Sequence, residues 1–402
     1  MFDWTVNSWI IVLVAFLTAL SCSVLGVFLI LRRMSLVADA ISHAVLPGIA
    51  IAFIATESRD PITMLLGAGT IGILATVLIE WVHRSGRVQG DASIGIVFTA
   101  LFALGVVLIS AKAGMVDLDQ DCVLYGEIAY SPWDSLIFDG VSWGVRPLWI
   151  LGFMAILNIA FVGLFFKELK LSTFDPGLAT ALGFSAAFLH YALMSLVSLT
   201  TVAAFESVGA ILVVAMFVVP AATAYLLTDR LSVMLIVVVI LSALISLVGY
   251  GMARILDASI AGSLTTISGL FFLLALLFSP THGIIPRQFI RLVLKIRIAS
   301  EDWLAHTYRI MEYKKKDFTD PDASRLSNAR FLPILLRLKG LAYKVETEWQ
   351  LTESGYKLAN EIIHRHRSWE GFLAQEWNIP PDHRHRPAHD AEHFLDDEVQ
   401  VK

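Results

Sequence analysis

Asp39 and His43 are two side chains early in the chain whose chemistry hydrocarbon does not tolerate. They lie in Arg32-Arg33-Met34-Ser35-Leu36-Val37-Ala38-Asp39-Ala40-Ile41-Ser42-His43-Ala44-Val45-Leu46-Pro47-Gly48, which leaves one apolar span through two arginines and carries an acid and an imidazole into the next. Such groups are costly in a bilayer unless they face a cavity, a partner or an ion. Four residues apart, they share a helix face. One oxygen and one nitrogen donor suit manganese, iron(II) or zinc better than calcium or magnesium, and two donors are too few for a closed site. The plainer alternative is that Asp39 caps a helix near a boundary while His43 bonds a carbonyl of a neighbouring helix.

Other chemistry-bearing residues are scattered. Asp117, Asp119, Asp121 and Glu127, with Tyr125, Trp133 and Trp143, fall between 112 and 146 and read either as a cation-attracting patch or as a solvated loop with interfacial aromatics. His190 reads as a membrane histidine satisfied by a neighbouring helix, His282 as a loop residue, and Glu206 as an acid at an outer mouth. His383, His385, His389 and His393 form a run that is either a metal-buffering tract or solvated surface. Cys22 and Cys122 are the only cysteines, which excludes a disulfide framework and a cysteine-based zinc site. The phosphate-cradling pattern Gly-x-x-x-x-Gly-Lys-Ser/Thr is absent, so ATP hydrolysis by that route needs another chain.

The elements that must position these residues are mostly membrane helices. An apolar fraction of 56% and a mean hydropathy of +0.70 exceed those of an ordinary soluble enzyme, and the excess is confined to residues 9 to about 285. A span needs about 20 mostly apolar residues. That criterion predicts spans near 9–31, 36–55, 61–82, 92–111, 147–166, 184–204, 207–227, 231–251 and 261–279, or eight with a re-entrant piece. The start, Met1-Phe2-Asp3-Trp4, lacks the basic region of a cleaved leader, so the first span is expected to be retained. Arg32, Arg33, Arg84, Arg87, Lys167, Lys170, Arg230 and Arg287 onward fall on alternate ends of the spans, while the opposite side holds Arg59, Lys112, Arg146 and Arg254. The positive-inside rule then puts the N-terminus outside and the tail in the cytoplasm.

Between two spans, Phe174-Asp175-Pro176-Gly177-Leu178-Ala179-Thr180-Ala181-Leu182-Gly183 predicts a short helix capped by Asp175, started at Pro176 and stopped at Gly183. Outside the membrane, such a helix is a docking knob for a partner. Ser198 to Ala210 and Pro220 to Ala224 are rich in small residues that let helices pack closely.

Residues 1–290 resemble the permease subunit of metal-chelate-type ATP-binding-cassette importers, which carry manganese, zinc or iron(II) across bacterial inner membranes. The matching segments, in order, are Arg32 to Gly48, Asp91 to Thr99, Leu124 to Glu127, Phe174 to Gly183, Ser198 to Ala210 and Val219 to Asp229. The resemblance implies a permease dimer, with itself or with a second permease chain, in the lipid bilayer. It also implies a cytoplasmic ATP-binding-cassette ATPase, an extracytoplasmic metal-binding protein and no enzymatic activity of the chain itself. Phe174, Asp175, Pro176, Leu178, Ala179, Leu182 and Gly183 become the coupling helix seated in the ATPase. A two-fold pair would bring two Asp39/His43 helices together and supply four donors to a translocation-path site for the cargo, manganese first and zinc or iron next.

Residues 291–402 change character. Glu301 to Met311 reads as a helix opening with acids, Asn328 to Leu338 as a second, Leu341 to Val345 and Glu348 to Thr352 as a strand pair, and Glu353 to Gln375 as a last helix. The expected fold is thus an all-α polytopic membrane protein with a small cytoplasmic α+β winged-helix-like domain. This part is similar to metal-dependent repressors of the diphtheria-toxin-repressor and manganese-repressor type, through Leu351 to Gly355, Arg365 to Leu373 and Ala391 to Leu395. By that resemblance Asp302, His366, Glu392 and His393 are metal ligands. Ala305 stands where the manganese type has a glutamate, and His389 where it has an acid, which shifts the preference toward zinc or iron. The recognition-helix region is apolar, and Arg325, Arg330 and Arg337 are few cations for phosphate contacts. A metal-sensing or dimerising appendage is therefore favoured, and a membrane-tethered regulator that binds DNA is the alternative.

Overall fold

The structure, a computed structural model, describes residues 4–56, 61–86, 88–112, 128–138, 141–313, 331–345, 348–377, 379–380, 383, 386–389 and 393. The chain divides into two compact units, Met1–Pro286 and Arg287–Lys402.

In the first unit nine spans among the described residues are long and apolar enough to cross a membrane. They begin with α1 (Val6–Leu31), then α2 (Leu36–Ala44) and α3 (Leu46–Thr56), which together make one span. The sequence reads 36–55 as uninterrupted; the structure breaks it at Val45. Pro47 explains the break, since its ring nitrogen cannot donate and it is tolerated only in a first turn. Next come α4 (Pro61–Arg84) and α5 (Gly90–Lys112), a 3-10 turn at Ile128–Trp133, and a hairpin of β1 (Ser135–Phe138) and β2 (Val141–Val145). Asp117, Asp119, Asp121, Tyr125 and Glu127 lie outside the described residues, while Trp133 and Trp143 are exposed.

The unit continues with α6 (Arg146–Leu164), α7 (Phe166–Phe174), α8 (Pro176–Ala181), α9 (Ala186–Val208), α10 (Ala210–Leu227), α11 (Leu231–Leu256) and α12 (Ile260–Phe278). The span expected from 207 starts at Ala210, because Gly209 takes a φ of 82° that ends α9 and separates the two helices. The α1 helix is the hub, packing on α6, α9, α10 and α11 with Val14, Cys22, Leu25, Val27 and Phe28 fully buried. Lipid offers little hydrophobic drive between helices, so small residues and interhelical hydrogen bonds matter more there. Asn158 Nδ2 donates to the Ser21 carbonyl at 3.1 Å and to Thr200 Oγ1 at 2.9 Å, tying α6 to α1 and α9, and Ser23 and Ser242 meet at 3.1 Å across α1 and α11.

The second unit is mostly α13 (Ile284–Tyr313), α14 (Leu332–Leu338), the antiparallel hairpin of β3 (Ala342–Val345) and β4 (Glu348–Leu351), and α15 (Glu353–Gln375). Two expectations change. Glu301 and Asp302 lie inside α13 rather than at a helix start, because nothing between Arg287 and Ser300 breaks the helix and Arg297 Nε holds Glu301 Oε1 at 2.9 Å one turn on. The helix expected from Asn328 is described only from Leu332, with Pro333 in its first turn; 314–330 lie outside the described residues. Thr352 caps α15 by accepting from the Gly355 amide at 3.1 Å. Leu304, Tyr308, Leu336, Ala342, Leu351, Ala359, Ile362 and Ile363 form this unit's own core.

Candidate functional site

The α2 helix has one apolar face, Val37, Ala38, Ile41 and Ala44, buried in the membrane unit. The opposite face carries Asp39 and His43. Asp39 Oδ1 lies 3.7 Å from His43 Nε2, and these side chains remain 47% and 35% exposed. The His43 ring stands between Phe98 and Phe102 of α5, with centroid distances of 6.2 and 6.1 Å. Asp39 is not a cap, because Ser35 occupies the N-cap position and Asp39 sits in the helix proper.

One turn before α2, Arg32 reaches across to α7. Its Nε donates to Thr173 Oγ1 and its Nη2 to Ser172 Oγ, both at 3.1 Å. Arg33 follows with a φ of 59°, strained for a residue with a Cβ. Both arginines line a cavity of about 450 Å³ together with Glu80, Arg84, His190 and Pro176. Glu80 Oε1 accepts from Arg84 Nε at 2.7 Å, and Glu80 Oε2 is 3.6 Å from His190 Nε2, a buried nitrogen with no hydrogen bond among the described residues. Sequence reasoning gave His190 a partner on a neighbouring helix but missed Glu80. The signal was present: a lone acid within a span, one turn before an arginine.

The segment after Thr173 folds as its residue types dictate. Asp175 Oδ1 accepts from the Leu178 amide at 2.9 Å, Pro176 opens α8, and Gly183 at a φ of 87° closes it, with the Gly183 amide on the Thr180 carbonyl and the Phe184 amide on the Ala179 carbonyl. Ala179 is buried, whereas Phe174, Leu178 and Leu182 are exposed. The result is a capped helix one turn and a half long, seated on Ala179 and offering apolar side chains outward.

In the second unit, Asp302 of α13 faces His393 and His389. Asp302 Oδ1 is 3.1 Å from His393 Nε2 and 3.7 Å from His389 Nε2, and although buried it accepts no hydrogen bond from the described residues. One ligand atom from each residue lies within 4.8 Å of the others, the one such group of three or more among the described residues. His393 Nδ1 pairs with Glu301 Oε2 at 2.8 Å. With that nitrogen donating, Nε2 turns its lone pair toward Asp302, the carboxylate-held imidazole typical of metal ligands. Burial opposes ionisation of Glu301, but hydrogen bonds from His393 and Arg297 outweigh it and hold the carboxyl below its usual value. His366 is buried with Nε2 3.0 Å from Glu370 Oε1, and its ring centroid is 6.5 Å from that of His389. The structure therefore brings Asp302 and His393 together, adds His389, and sets His366 beside them on a partner of its own. Glu392 lies outside the described residues.

Comparison with known proteins follows the same division. Residues 3–279 match the ABC 3 transport family, and residues 352–402 match the iron dependent repressor, metal binding and dimerisation domain. The manganese transport system membrane protein MntD of Bacillus subtilis (strain 168) is 45% identical over 282 residues, 70% of this chain and 95% of that protein. The zinc transport system membrane protein TroD of Treponema pallidum (strain Nichols) is 44% identical over 287 residues, 71% of this chain and 78% of that protein. A chain of the solved structure of PsaBC from Streptococcus pneumoniae in complex with Fab superposes with a TM-score of 0.55 at 31% identity, covering 70% of this chain and 94% of that one. With a family match over most of its length and relatives this similar, the chain belongs to the ABC 3 transport family as a multi-pass membrane permease subunit, not the ATPase, and carries a C-terminal domain of the iron-dependent-repressor metal-binding type.

Proposed function

We propose that this chain carries a divalent first-row metal, manganese first and zinc or iron next, inward across a bacterial inner membrane. It does so as one of a pair of permease chains, with a cytoplasmic ATPase and an extracytoplasmic metal-binding protein. The observation that carries the reading is the half-exposed face of α2. A carboxylate and an imidazole at 47% and 35% exposure are poorly placed against lipid, yet well placed against a second copy of the same helix. Two copies supply two oxygens and two nitrogens, a donor set that manganese, iron and zinc accept. The relatives named for manganese and for zinc fit that shared chemistry. The arginine-bearing ends of the spans support an outside N-terminus and a cytoplasmic tail.

Uptake by the permease, its ATPase and its binding protein reconstituted together, measured against a panel of divalent ions, tests this. Manganese is expected to accumulate with ATP and calcium and magnesium are not; no ATP-dependent uptake of any first-row ion would overturn it.

The tail fits a metal-sensing appendage. Its α14, hairpin and α15 support a winged-helix-like outline, and Arg337 is the one cation of α14, a poor basis for reading DNA. Asp302, His389 and His393 are the core of its ligand set, with Glu301 orienting His393 and His366 adjacent. In a full-length chain whose path site is silenced by Asp39→Ala and His43→Ala, manganese or zinc titration should still report one site. His393→Ala should weaken it by about tenfold or more, the size of effect seen when ligand environments are damaged. Unchanged affinity would remove the tail site.

A further inference from the structure

The exit from the last span is pinned to the membrane unit. Ser279 Oγ and Thr281 Oγ1 both donate to the Leu226 carbonyl, the latter at 3.0 Å, and His282 Nε2 lies 2.8 Å from Asp229 Oδ1. Only residues 279–283 separate the end of α12 from the start of α13 at Ile284. That helix therefore begins at a membrane boundary, beside the ends of α10 and α12.

Its first four turns have a distinctive chemistry. Between Ile284 and Ser300 there are four basic residues, Arg287, Arg291, Lys295 and Arg297, and no acid. At about 3.6 residues per turn, Ile285, Phe289, Leu292, Val293 and Ile296 share one arc, while Arg287, Arg291 and Lys295 share the opposite one. The apolar arc is open: Phe289 is 64% exposed, Leu292 55% and Val293 50%. An apolar face of this size needs a cover.

We infer that residues 284–296 form an interfacial helix whose apolar arc lies at the acyl boundary of the adjoining leaflet and whose Arg291 and Lys295 hold anionic phosphate headgroups. Two features select the bilayer over a second copy of the chain. The pinned connection delivers the helix to the lipid surface, and a basic arc flanking an apolar one is the composition of helices that lie in anionic interfaces. The inference stands on the membrane-spanning family alone and is indifferent to which metal is carried.

The test uses the full-length chain in nanodiscs, on a Cys122→Ser background, Cys22 being fully buried. A single cysteine, Phe289→Cys or Lys295→Cys, carries an environment-sensitive fluorophore, and nitroxide-bearing lipid is the quencher. In nanodiscs containing phosphatidylglycerol, the label at 289 should be quenched several-fold more than the label at 295. Phosphatidylcholine alone, or Arg291→Glu with Lys295→Glu in the chain labelled at 289, should lower the quenching at 289 several-fold. Three outcomes overturn the inference: equal and weak quenching at both positions, quenching at 289 that ignores both lipid charge and charge reversal, or a 289–289 crosslink between copies that shields the label from lipid.

Discussion

Metal uptake by the reconstituted transporter should fall by at least about 100-fold in Asp39→Ala and again in His43→Ala, with little change in expression or thermal stability. The size follows from symmetry. In a two-fold pair each substitution removes two donors at once, and even a damaged outer shell costs about 10–100-fold in metal affinity. The stability half follows from burial: both side chains lie on the open face of α2, away from Val37, Ile41 and Ala44, so truncation opens no cavity in the core. Metal uptake per unit of ATP hydrolysed is the measurement. Wild-type rates in both variants would end the role assigned to the pair.

Leu178→Asp combined with Leu182→Asp should uncouple transport while leaving the permease folded. These exposed leucines stand one turn apart, beside exposed Phe174. Buried anchors at a protein interface are each worth about 2–4 kcal/mol, so charging two of them should weaken ATPase docking by roughly 30-fold or more. Asp175→Ala loses only a cap, about 1 kcal/mol, and should show a fewfold defect in the same assay. Co-purification with the ATPase and uptake in proteoliposomes read the effect. A doubly charged variant that still binds the ATPase and transports normally would take the docking role away from this helix.

Much of the architecture was legible because a bilayer leaves the sequence few options. Nine apolar runs of about span length became nine spans, displaced mainly where a single residue set a local rule: Pro47 split the second and Gly209 delayed the seventh. Asp175 and Gly183 marked the ends of α8 because capping and positive φ are properties of the residues themselves. What escaped depended on partners distant in sequence. Glu301 and Asp302 looked like a helix start, since acids favour first turns, but Arg297 one turn earlier makes the same acids good mid-helix residues. His389, read as a departure from a family pattern and as one of a histidine run, turns toward Asp302, and Glu301 becomes the support of His393; neither contact has a local signature. Glu80 and His190 meet from α4 and α9, more than 100 residues apart in the chain.

Arg32 has a mechanical meaning. Two hydrogen bonds clasp it to Ser172 and Thr173, directly ahead of α8. Its own chain leads, through Arg33 in its left-handed twist, into the helix that bears Asp39 and His43. A displacement of α8 thus has a short linkage to α2, with Arg32 as the pin of the lever and Arg33 as its swivel.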